Sequence, residues 1–357
     1  MTTYTEVIEE LKDMGITPLD DGKHFSGGDF FIYEGTPMED LFGEFFAFGQ
    51  EFLDAEDHPF HIQPARMYFS TYNSMNAAAR PLPEFNLVEV FMGSINFLRQ
   101  LFIDKEQLFN LDGFMKGYGG LAEERGSEPG KLLFQLITIY IFYHEVGHLV
   151  QQTSKRKLQG AGQLEKPNEN YVEFLDEDVK AARSKYRHML ELDADWFAAT
   201  SMAHHIIKFG KKKDFEESVI DKQTLEDIAS LMLAAVYSYQ VTRMNKFKKV
   251  YYQEHDHPHP SVRAAYLVRF ILDQCSSIFK EEGIKIVFDE KRVLQNAIRI
   301  SEVLLKDAPE NVVERYSLEM YESLRDIEKY INDIIGDVND CSFSCMNFYK
   351  NLNAPKA

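Results

Sequence analysis

One short run in this chain holds three side chains that can do chemistry together: His144-Glu145-Val146-Gly147-His148. On a helix, positions four apart share a face, so both imidazoles can meet one metal ion. Glu145 lies about 100° round the axis, where it cannot act as an equal third ligand but can reach a water at the ion. The upstream residues Ile137 and Ile141 continue the histidine face and place the pair at the end of an apolar wall. The chemistry this arrangement suits is hydrolysis by an activated water. The bland alternative is two core histidines and a solvated glutamate.

A second run bears on that choice. Glu191-Leu192-Asp193-Ala194-Asp195-Trp196-Phe197-Ala198 falls on the next long helical pattern, with Glu191 and Asp195 again four apart. A catalytic zinc takes three protein ligands and keeps a fourth position for water or substrate. Glu191 can supply the third ligand, and Asp195 can accept a hydrogen bond from a ligand imidazole. Met189, Leu190, Trp196, Phe197 and Ala198 make this helix largely buried, and two buried carboxylates call for a cation. Zn2+ is therefore the expected cofactor, held by His144, His148 and Glu191, with Glu145 as the general base.

With both elements in place, the sequence resembles the gluzincin metallopeptidases, in particular the branch of the HtpX heat-shock and CAAX prenyl proteases. That branch joins HExxH to a downstream ExxAD helix, matched here by Glu191 to Asp195. Asn76-Ala77-Ala78-Ala79, followed by Phe85 to Gly93, resembles the family's NAFA segment and the strand after it. His257-Pro258-His259-Pro260-Ser261-Val262-Arg263 is similar to its HPS…R segment. The resemblance spans about residues 66–270 and implies a zincin-like core and cleavage of a protein or peptide substrate. It also implies an oxyanion partner among His257, His259 and Arg263. The spacing to Arg263 favours His257, whereas the tripeptide selects His259. The spanning helices of those proteases have no counterpart, which implies a soluble branch, near the phage-exclusion peptidases of the Lit type.

The elements that must position these residues read as mostly helical. Helices are expected over about 1–15, 131–152, 179–209, 216–247, 260–281, 290–306 and 309–335, with weak periodicity in 337–357. Strands are expected at Arg66–Tyr72 and Phe85–Phe91, with a short one at Phe30–Tyr33. Loops are expected at Asp20–Gly28, Gly117–Gly130 and Thr153–Asp178, the last lying between the two metal-binding helices. The fold class is mainly α with a small β-sheet, an α+β arrangement with a zincin-like core and a helical C-terminal extension. The expected divisions are 1–65, 66–275 and 276–357. A peptide could add as a strand beside an edge near 85–91.

Composition narrows the partners. Lys and Arg number 39 against 57 Asp and Glu, a net charge of −18 that repels phosphate backbones, so no nucleic acid is expected. The most apolar stretch, Leu132–Tyr143, is too short for about 30 Å of hydrocarbon, and no membrane span is expected. The first twenty residues show no apolar signal-peptide segment, and three cysteines cannot form a disulfide framework; both fit a cytoplasmic protein. Cys341 and Cys345 read as ordinary thiols, and His204 and His205 as capping or core residues. His255-Asp256-His257-Pro258-His259 could be a separate metal site, though two prolines favour an exposed turn. The competing function is a regulatory or defence-type binding protein on the same scaffold, with structural or gated zinc.

Overall fold

A computed structural model describes residues 2–18, 28–55, 59–82, 85–104, 128–159, 177–210, 222–243, 249–281, 283, 286–306 and 312–352. Near the N-terminus, Thr3 and Glu6 cap α1 (Tyr4–Asp13) reciprocally. The helix buries Tyr4, Val7, Ile8 and Leu11 on one stripe. In α2 (Glu39–Asp54), Phe42, Phe45, Phe46 and Leu53 form the buried face.

The sheet has three strands, β1 (Ala65–Ser70), β2 (Ala77–Pro81) and β3 (Asn86–Phe91), in the order β1-β3-β2. β1 runs parallel to β3, with Met67 opposite Val88; β2 runs antiparallel to it, with Ala79 opposite Val88. All six residues of β3 are buried, as its apolar run suits a central strand. This corrects the edge expected near 85–91: the edges are β1 and β2, and β2 is an alanine-rich segment of low β-propensity held by its pairing to β3. Phe30–Tyr33 is reduced to a single bridge from Phe30 to Ser70.

The rest is helical: α3 (Met92–Leu98, ending in a π-turn over Arg99–Ile103), α4 (Pro129–Gln159), α5 (Glu177–Gly210), α6 (Lys222–Arg243), α7 (Pro260–Glu281), α8 (Glu290–Leu304), α9 (Val312–Glu322), α10 (Leu324–Asp340) and α11 (Cys345–Leu352). Mainly α with a small mixed sheet, the molecule has the expected α+β class. α7 spans the residues expected of it. α4 is longer than expected because Pro129 is tolerated in a first turn and nothing in Thr153–Gln159 breaks a helix. The expected loop thus begins no earlier than residue 160, and residues 160–176 lie outside the described residues. So do 19–27, 105–127, 216–221 and 244–248, which hold most of two expected loops and the ends of the 216–247 helix.

The single helix expected over 309–335 is two, parted at Ser323, whose backbone (φ −95°, ψ 3°) leaves the helical region. The chain beyond 337 also departs from the sequence reading, since it finishes α10 and then forms α11 against α4 and α5. Apolar contacts run without a break from Tyr4 to Met346. Within α4, Pro129–Arg156 has the length and apolarity of a membrane span, longer than the 132–143 stretch suggests; 89% of its apolar window is buried inside the fold, as in a core helix.

Candidate metal centre

Two helices must lie close enough for imidazoles on one to face a carboxylate on the other. Gly147, the fourth residue of the motif, makes that possible. A Cβ there would sit 3.0 Å from the Ala194 Cα and 3.2 Å from the Cβ atoms of Ala194 and Phe197. The missing side chain lets α4 and α5 touch almost backbone to backbone at the level of His144, His148 and Glu191.

Across this contact His144 Nε2 lies 3.4 Å from Glu191 Oε2, and His148 Nε2 lies 3.5 Å from Glu191 Oε1. Bonds of about 2.0–2.2 Å to a tetrahedral ion set its ligand atoms about 3.3–3.6 Å apart, and here one donor atom from each of the three residues lies within 4.8 Å of the other two. Among the described residues, only these three bring a set of histidine, cysteine or carboxylate donors together in this way. The two imidazoles and one carboxylate could hold a metal, and their types suit zinc.

Each imidazole is oriented through its other nitrogen. His144 Nδ1 is 2.9 Å from Asp195 Oδ1. That carboxylate also accepts from Arg263 Nη2 at 2.7 Å, Arg263 Nε at 2.8 Å and the Tyr140 hydroxyl at 2.8 Å. Tyr140 in turn accepts from Arg263 Nη2 at 2.7 Å and Gln240 Nε2 at 3.1 Å. His148 Nδ1 is 3.1 Å from Gln151 Oε1, a neutral partner. Tyr140 and Gln151 escape the sequence reading although each has a local signal, one turn before His144 and three residues after His148. Gln240 has none, since it arrives from α6.

Burial opposes the charge on these groups, and their mutual attraction overcomes it. Burial raises the Glu191 carboxyl, yet the imidazoles of His144, His148 and His257 hold it well below the usual carboxylate range. Burial and Arg263 both press the His144 pKa down, while Asp195 and Glu191 together lift it to about 9. His148 is raised as well, Glu191 outweighing burial. A metal entering this cluster must displace protons, as at any imidazole site.

Glu145 is buried except where it lines a cavity of about 610 Å³ beside the three donors. Asn76 and Ala77–Ala79 of β2 line the same cavity, as do Tyr239, Tyr251 and the His255–Pro258 loop. Among the described residues no hydrogen bond or ion pair holds the Glu145 side chain.

The HPS…R residues separate. His257, 65% exposed, sits at the cavity rim with Nδ1 3.4 Å from Glu191 Oε1. His259 is fully buried and turned to the start of α7, where its Nδ1 accepts the Ser261 amide at 3.1 Å. Burial lowers its pKa to about 4, so it stays neutral. Arg263 lines the cavity wall with its guanidinium committed to Asp195 and Tyr140, and its Nη1 3.6 Å from Glu191 Oε2. His205 lies elsewhere, 3.3 Å from the Tyr143 hydroxyl. No protein-family model, curated protein or solved structure matches this chain.

Proposed function

We propose that this protein is a zinc-dependent endopeptidase with a zincin-like core, acting on a protein or peptide substrate. The observation that carries the reading is the placement of Glu145, which opens on the cavity beside three donors spaced as ligands of one ion. A closed structural site has no use for an uncommitted carboxylate in that position.

His144, His148 and Glu191 would hold the ion, which when bound polarises a carbonyl and lowers the pKa of water. Glu145 takes a proton from the attacking water and hands it to the leaving amine. His257, at the rim and exposed, is the side chain placed to donate to the developing oxyanion. Arg263 spends its Nε and Nη2 hydrogens on Asp195 and Tyr140 and turns Nη1 toward Glu191 Oε2 at 3.6 Å, so its charge faces the same side of the cavity. The free side of β2 borders the same cavity, so an extended peptide can pair with it and lie across the donors.

Glu145→Gln tests the reading. The amide keeps size and shape, so the variant is expected to fold and take up zinc as the wild type does. Peptide cleavage is expected to fall by about 10²–10⁴-fold, the usual loss for a missing general base. Mass spectrometry of a cleaved peptide mixture, read beside zinc content, measures both. A zinc-loaded Glu145→Gln protein that cleaves at the wild-type rate overturns the proposal.

A further inference from the structure

We infer that Gln151 is a positioning residue for the metal ligand His148, and that the C-terminal helix α11 holds it in place through Asp193. The inference rests on the metal reading above.

To offer Nε2 to a metal, His148 must carry its proton on Nδ1 and needs an acceptor there. That acceptor is Gln151 Oε1, at 3.1 Å. A side-chain amide can turn over and present its NH2 instead, which would force the wrong tautomer on the ring. Two acceptors prevent this. Gln151 Nε2 donates to Leu190 O at 2.9 Å and to Asp193 Oδ2 at 2.8 Å, so the NH2 end has to face α5 and the oxygen has to face His148.

Asp193 is itself anchored from far along the chain. It is buried, and no cation pairs with it among the described residues. Its oxygens accept the Cys345 amide at 2.7 Å and the Met346 amide at 3.2 Å, the first two N–H groups of α11. Those donors have no partner within their own helix and point along its positive end. The Cys345 thiol, also buried, lies 3.3 Å from Gly147 O, the carbonyl that precedes His148. The start of α11 therefore touches the ligand turn twice, once directly and once through Asp193 and Gln151.

The test is zinc affinity by competition with a chromophoric chelator, read beside the thermal melting of the metal-free protein. Gln151→Ala is expected to weaken zinc about 10–100-fold, the usual cost of losing such a partner, with melting close to wild type. Gln151→Met fills the original volume and gives the same reading should the alanine variant fail to fold.

Cys345→Pro removes one N–H at a first helical position, where proline is tolerated. It is expected to weaken zinc several-fold, whereas Cys345→Ala keeps the N–H, loses only the thiol contact and is expected to weaken zinc less than the proline variant does. A wild type that binds zinc with Gln151→Ala and Gln151→Met binding equally well overturns the inference alone. So does a loss confined to metal-free melting, since that marks a purely structural role. A wild type that takes up no zinc overturns the metal reading beneath it.

Discussion

Asp195 and Asp193 sit two residues apart on α5, both buried, and each stands behind one of the two histidines proposed as metal ligands, by a different device. Behind His144, Asp195 meets a guanidinium. Burial raises its carboxyl, but Arg263 and His144 together more than offset this and leave it below the ordinary aspartate value. Behind His148, Asp193 meets Gln151 and two backbone amides. Burial again raises it, and these neutral donors do not overcome the rise. Neutral N–H groups thus orient a buried carboxylate without matching the charge stabilisation that an arginine and an imidazole supply together. His144 is backed by an ion pair and His148 by a relay of amides.

The contrast can be broken experimentally, and the ranking below follows the expected change in folding free energy. Arg263→Met removes one partner of a buried pair and strands the Asp195 carboxylate, so about 3–5 kcal/mol of stability is expected to be lost. Denaturant unfolding measures it. The double variant Asp195→Asn/Arg263→Met removes both charges and is expected to be more stable than Arg263→Met alone. A single variant losing less than about 1 kcal/mol would show that the pair does not dominate that side.

Gly147→Ala acts on both ligands at once. Its Cβ meets the Ala194 backbone at 3.0 Å, an overpacked contact expected to cost about 1–3 kcal/mol and to reduce zinc occupancy by parting α4 from α5. Full zinc content at wild-type stability would mean that the helices tolerate a wider spacing. His257→Ala sharpens the comparison from the open side of the site. Because His257 is 65% exposed and outside both supporting shells, stability is expected to change by less than about 0.5 kcal/mol. Zinc content should hold while kcat falls by up to about 10²-fold through the lost oxyanion donor. An unchanged kcat would take that role away from His257.

The pattern of what was legible follows from contact range. α7 could be bounded from sequence because Pro260 opens it and its apolar stripe repeats at helical spacing. β2 could not, since Ala77–Pro81 has no strand-like pattern and exists by pairing with β3. The break at Ser323 is equally silent, the residues on both sides being good helix formers. The choice between His257 and His259 was open because both sit beside a proline in one short segment. Burial separates them: His259 turns inward at the start of α7, and His257 stays at the rim.

By itself, the sequence determined what local geometry can determine. Spacings of four residues put His144 beside His148 and Glu191 beside Asp195, because helix periodicity is a property of the backbone. Tertiary structure decided everything that depends on residues distant in the chain. It brought Arg263 to Asp195 across 68 residues and the Cys345 amide to Asp193 across 152. It also chose β2 as the strand beside the cavity. A buried carboxylate requires a partner, but its own sequence neighbourhood does not say which distant donor packing will deliver.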